Sequence, residues 1–135
     1  MKKYSSLMFV LPLLCGFSAN SAMAEGLNKI EVAEIKKSLH LFNTVLPPHC
    51  PTIMLKDARE KLVKARKRDK TDLSDRLLLE IADSYQKHQC YPEAIKTYVL
   101  LIDNSDPFIA EKAKTGLKQS QEGAEGLNGN SGGME

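Results

Sequence analysis

The chain has 135 residues, 19 of them lysine or arginine and 17 aspartate or glutamate, and 42% of its residues are hydrophobic. This length suits one domain with a modest core. The nearly neutral balance lacks the basic excess of a general nucleic-acid-binding protein, so we expect no nucleic-acid partner.

The first 24 residues are predicted to be a secretory signal peptide. Lys2 and Lys3 provide its positive start, residues 7–17 its apolar stretch, and residues 22–24 (Ala-Met-Ala) a small-residue cleavage site. The apolar stretch is shorter than the roughly 20 residues that span a bilayer. A lipoprotein signal with Cys15 as the modified residue is the alternative, but bulky residues precede that cysteine instead of the small ones such signals favour.

Removal of this segment leaves residues 25–135, with 17 of the 19 basic residues against 17 acidic ones. We expect this product to be exported and periplasmic. No later stretch is apolar enough to cross a bilayer, so membrane association is expected to be peripheral at most. Two of the three cysteines remain, Cys50 and Cys90, and oxidising compartments favour a disulfide between them.

Helical periodicity predicts an all-α domain over residues 25–120. The first helix is predicted over 27–46, and the prolines that follow residue 46 end it. Its apolar stripe is Val32, Ile35, Leu39, Phe42 and Leu46. A second helix is predicted over 52–68, with a buried face of Met54, Ala58, Leu62 and Ala65.

Three more helices are predicted over 73–88, 92–103 and 107–120. Pro92 suits a helix start, because a first-turn residue needs no N–H donor. From Gln121 onward the chain is mainly Gly, Asn, Ser and Glu, which have little to bury. Residues 121–135 are therefore predicted to be a flexible tail.

The segment from about residue 75 to 107 resembles a tetratricopeptide repeat. The large-large-small-aromatic positions of the first helix and the aromatic and small positions of the second are Leu78, Ile81, Ala82, Tyr85, Tyr91, Ala94 and Tyr98. Gln89 stands where the family usually has a turn glycine. The resemblance implies stacked antiparallel helical hairpins, about five helices in all. A general helical bundle is the alternative.

The resemblance also implies a partner-binding surface. In the family the first helix of a repeat lines the concave face, and its outward positions contact a partner's peptide or helix. The matching positions here are Arg76, Leu79, Asp83, Gln86 and Lys87.

Antiparallel hairpins place the loop at 47–51 and the turn at 89–91 at the same end. Cys50 and Cys90 lie in these connections, so the topology supports a disulfide between them. A weaker alternative is a zinc or copper site formed by His49, Cys50, His88 and Cys90. No other cofactor is expected.

A basic face is predicted on the second helix, formed by Lys56, Arg59, Arg66, Lys67 and Lys70. It fits a well-solvated outer helix, or a docking surface for an acidic protein, anionic lipid or an anionic envelope polymer.

No nucleophile motif, phosphate loop or Cys-x-x-Cys pair indicates an enzyme, and we expect no catalytic residues. The expected function is an adaptor, scaffold or assembly factor that binds a protein partner in an envelope complex. The alternative is a periplasmic metal-handling or stress protein that uses the Cys/His cluster. The oligomeric state is left open by the sequence.

Overall fold

The computed structural model describes residues 27–68 and 71–133, and the side chains of these residues as far as Leu127. Over this part of the chain there are five helices and no strand. They are α1 (Lys29–Asn43), α2 (Ile53–Ala65), α3 (Leu73–Lys87), α4 (Tyr91–Val99) and α5 (Pro107–Gly133). The predicted all-α class is confirmed. The predicted signal peptide, with its cleavage site and Cys15, lies outside the described residues.

Helix α1 begins with a reciprocal cap and presents one apolar stripe to the core. The Asn28 side chain accepts a hydrogen bond from the Glu31 N–H at 2.8 Å, and Glu31 accepts one from the Asn28 N–H. Ile35, Leu39 and Phe42 are buried, as their spacing predicts. The helix ends at Asn43, earlier than predicted, so Leu46 leaves the stripe and is 76% exposed.

Helix α3 lies at the centre of the molecule and contacts each of the other four helices. It therefore needs apolar side chains around much of its circumference. Its fully buried apolar residues are Leu77, Leu78, Ile81, Ala82 and Tyr85. The Tyr85 ring meets the Phe42 ring of α1 edge to face, with centroids 5.6 Å apart.

Helix α4 packs against both α3 and α5, with Ala94 and Tyr98 fully buried. It ends at Val99 instead of the predicted residue 103. Helix α5 then starts with an Asp106 cap, whose carboxylate accepts a hydrogen bond from the Phe108 N–H at 2.9 Å. Ile109 and Ala113 bury its inner face.

Residues 121–133, which belong to the segment 121–135 predicted to be a flexible tail, continue α5. The glycine-rich composition is a poor helix former, but tertiary packing overrides propensity. Ser120 is fully buried, and the Tyr91 ring lies against the backbone of Gly123, where a larger residue would meet it. Because Gly123 has no side chain, the Tyr91 ring can contact the α5 backbone closely.

The two ends of the helix stack are joined by different interactions. At one end Cys50 and Cys90 form a disulfide with Cα atoms 5.5 Å apart, which confirms the predicted pair. At the other end Asp75 binds two partners, Arg66 Nε at 3.1 Å and Asn104 Nδ2 at 2.6 Å. This cluster, the Asp75 brace, links the end of α2, the start of α3 and the turn after α4.

Candidate functional site

An open groove of about 740 Å³ lies between α3 and α5. Asp83 and Gln86 line it from α3, and the Tyr98 ring of α4 forms part of its floor. The residues that line it from α5 include Phe108, Lys112, Thr115 and Gln119. The groove thus draws side chains from three elements that share one core.

A buried tyrosine hydroxyl organises the floor. Tyr98 donates a hydrogen bond to Asp83 Oδ1, and its oxygen lies 3.0 Å from Gln86 Oε1. Burial, together with the hydrogen bond and charge of Asp83, raises the pKa of Tyr98 far above its ordinary value. The hydroxyl therefore keeps its proton and acts as a fixed donor.

The carboxylate of Asp83 is the acceptor on this floor. Burial raises its pKa, and the hydrogen bond from Tyr98 and the charge of Lys112 act in the opposite direction. One carboxylate oxygen is bound to Tyr98, and the side chain is partly exposed to the groove. Asp83 can therefore accept a further donor from a ligand.

The depth of the groove depends on Gly116. A Cβ atom added there would overlap the Tyr98 ring and hydroxyl. Without that atom the ring lies directly against the α5 backbone, and the hydroxyl reaches Asp83. A glycine is therefore required at Gly116, where the α5 backbone closely approaches Tyr98.

The rim of the groove combines an aromatic surface with polar groups. The Phe108 side chain is 64% exposed, and Lys112 Nζ lies 5.5 Å from the centre of its ring. Gln86 Nε2 donates a hydrogen bond to Gln119 Oε1 at 3.2 Å, which bridges α3 and α5. This arrangement can pair with a cation, exchange hydrogen bonds and contact an apolar group.

The predicted partner-binding residues of α3 occupy different environments. Asp83 and Gln86 line the groove, whereas Arg76 and Lys87 are exposed but do not line it. Leu79 was predicted to point outward, and this was wrong, since it is only 8% exposed and belongs to the core. Its burial follows from the central position of α3, which leaves little of this helix free.

Sequence reasoning missed the α5 side of the groove. Phe108, Lys112, Thr115 and Gln119 are separated by four, three and four residues, so they share one face of a helix. This spacing was available in the sequence. The repeat resemblance implies partner-binding positions on α3 alone.

Two of the five residues of the predicted basic face, both arginines, are involved in internal contacts. Arg59 pairs with Glu93 at 2.8 Å, donates to Thr97 and lies over the Tyr85 ring. Arg66 belongs to the Asp75 brace.

The other three predicted members are lysines. Lys56 and Lys67 are exposed, and Lys70 lies outside the described residues. The expectation of one free cationic face was therefore wrong for Arg59 and Arg66, because α2 uses these side chains to bind its neighbours.

The four residues of the alternative metal site do not form one. Both sulfur atoms are joined in the disulfide, and thiolates are the form that binds metal. His88 is fully buried against Phe42, with ring centroids 4.8 Å apart, and His49 is exposed. Within residues 27–68 and 71–133, no three His, Cys, Asp or Glu side chains converge as metal ligands would.

None of the helices in the described part of the chain has both the length and the apolar character needed to cross a bilayer. Comparisons of the chain with protein-family models, with curated proteins and with solved structures found no match.

Proposed function

We propose that this protein is an exported helical-repeat adaptor, scaffold or assembly factor of an envelope complex. It binds a partner's extended peptide or helix in the groove between α3 and α5. The observation that carries the proposal is the groove itself, which is open, lined by two neighbouring helices and equipped with both polar and aromatic groups.

The dimensions and chemistry of the groove support a peptide partner. Its volume of about 740 Å³ accommodates several side chains, and it is open to solvent instead of enclosed. Gln86 and Gln119 present amides of the kind that bind a peptide backbone, and Phe108 offers an apolar contact. The resemblance of α3 and α4 to a tetratricopeptide repeat favours the same surface.

Export is supported by two independent features. The first 24 residues have the order of charged, apolar and small residues found in signal peptides. The Cys50–Cys90 disulfide is compatible with an oxidising compartment. A periplasmic location agrees with both.

The test is to fill the groove from α5. Thr115 is exposed and lines the groove, so Thr115→Trp should occupy the space where a partner segment lies. Lys118→Trp adds the same ring to an exposed position of the same helix that does not line the groove. Partners captured by crosslinking in the native envelope are compared for the two variants and the unaltered protein.

We expect Thr115→Trp to lose the crosslinked partner and Lys118→Trp to keep it, while both melt at about the temperature of the unaltered protein. Equal capture by the two variants would exclude the groove as the binding surface. Loss of capture with Lys118→Trp alone would place the partner on another face of α5.

A further inference from the structure

The groove already holds one cation of its own chain. Lys112 Nζ lies over the exposed Phe108 ring, 5.5 Å from its centre, and the charge of Lys112 acts on the Asp83 carboxyl. Its neighbour Lys114 pairs with Glu111 at 3.9 Å, whereas the described contacts of Lys112 are this ring and this charge. Lys112 therefore marks a position where the groove stabilises a positive group.

We propose that the groove selects a partner segment in which an arginine or lysine stands beside an apolar residue, and that this cation takes the position of Lys112 between Phe108 and Asp83. The inference rests on the proposed function and names the chemical class of its partner. The apolar neighbour then contacts the exposed edge formed by Pro107 and Phe108.

The charges of the groove favour a basic segment. Asp83 is the lining carboxylate available to a partner, because the other one, Glu111, pairs with Lys114. An acidic segment would bring like charge to Asp83 in a partly buried site, which is unfavourable. A basic segment meets a carboxylate that is already oriented by Tyr98.

Arginine fits this position better than the resident lysine. A guanidinium is planar, so it can lie on the Phe108 ring and donate to the Asp83 carboxylate with the same group. Lys112 is exposed, which means that its displacement into solvent requires little rearrangement. The intramolecular contact is thus replaced by a stronger one of the same kind.

The apolar residue follows from the exposure of Phe108. A phenyl ring that is 64% exposed loses water contact when a partner side chain covers it. Pro107 lies next to it on the groove and adds a rigid apolar surface. The cation and the apolar group therefore bind at adjoining points.

Two variants with opposite expected effects on peptide affinity test the proposal. Asp83→Asn removes the charge but keeps an oxygen for the Tyr98 hydroxyl, and Lys112→Gln removes the resident cation. A display library of random peptides is selected for binding to the oxidised full chain. The affinities of the selected peptides are then measured by fluorescence anisotropy.

We expect the unaltered protein to enrich peptides with arginine or lysine beside an apolar residue. Asp83→Asn should lower the affinity for those peptides about tenfold, as expected for loss of a charge-assisted contact. Lys112→Gln should raise the affinity for them about threefold, because the competing cation is gone. Both variants should keep the melting temperature of the parent to within a few degrees.

Enrichment of acidic peptides, or weaker binding by Lys112→Gln, would overturn the proposal. So would unchanged affinity in Asp83→Asn. The Thr115→Trp variant separates this failure from failure of the proposed function. If it abolishes binding while Asp83→Asn has no effect, the groove binds peptides without the charge selection. If Thr115→Trp binds the same peptides as the parent, both proposals are wrong.

Discussion

At the scale of single residues, His88 is the clearest case of a polar group held under apolar conditions. It is fully buried, and its ring meets the Phe42 ring nearly at a right angle. Within the part of the chain that the structure describes, neither ring nitrogen has a hydrogen-bond partner. Burial, and to a smaller extent the charge of Lys87, lowers the pKa of His88 below its ordinary value of 6.5.

The burial of His88 predicts a loss of stability in mild acid. Near and below pH 6.5 the unfolded chain binds a proton at this ring more readily than the folded chain, so the free energy of unfolding falls as the pH falls. His88→Phe removes the titration. Between about pH 7.5 and 5.5 we expect the parent to lose more stability than this variant, measured by urea unfolding at each pH.

The control is His49→Phe, which changes an exposed histidine in the adjoining loop. It should follow the parent across the same pH range. Parallel curves for the parent and His88→Phe would show that His88 does not resist protonation in the folded state.

At the scale of elements, α5 carries two glycines in opposite situations. A Cβ at Gly116 would overlap the Tyr98 ring, whereas one at Gly126 would meet nothing within 4 Å. The same substitution therefore has different consequences in one helix. At Gly116 the steric conflict dominates, and at Gly126 the helix propensity of alanine does.

Gly116→Ala should lower the free energy of unfolding by about 2 kcal/mol, because Tyr98 must move and its bond to Asp83 is strained. Gly126→Ala, the matched control, should raise it by up to about 1 kcal/mol. Chemical unfolding followed by circular dichroism measures both. A stabilising effect of Gly116→Ala would mean that Tyr98 is free to move away from α5.

The burial and the bounds of the helices show what the sequence could and could not predict. The stripe of α1 was predictable from local spacing, because Ile35, Leu39 and Phe42 repeat with the helical period. The continuation of α5 was not, since it depends on Tyr91 lying opposite Gly123, a contact between distant residues. Likewise, the burial of Leu79 depends on the packing of other helices around α3, which local pattern does not show.

The groove was half predictable for the same reason. Asp83 and Gln86 were identified from a repeat pattern within α3. The role of the Tyr98 hydroxyl could not be identified, because the pattern marks Tyr98 as a core aromatic and says nothing of its polar end. Only the packed arrangement shows that this end meets Asp83.

At the scale of the whole molecule, the core is continuous from α1 to α5 but small. Buried apolar residues of all five helices join one cluster around α3. A core of this size leaves a narrow margin of stability, so constraints on the unfolded chain carry unusual weight. The disulfide is such a constraint, because it closes a loop with a sequence separation of 40.

Reduction of the disulfide should lower the free energy of unfolding by up to about 4 kcal/mol, the chain-entropy value for a loop of this length. Urea unfolding with and without reductant measures the difference. The Cys50→Ala, Cys90→Ala double variant is the control, since it should resemble the reduced protein and show no response to reductant. Equal stability of the oxidised and reduced forms would mean that the helices hold without the bond.

The Asp75 brace and the disulfide close opposite ends of the same stack, and they respond to different reagents. Added salt weakens the Arg66–Asp75 pair and leaves a covalent bond intact, whereas thiols do the reverse. The environment therefore sets the direction from which the molecule opens. In an oxidising medium of high ionic strength, hydrogen exchange should begin at the residues around Asp75 and advance towards the cysteines.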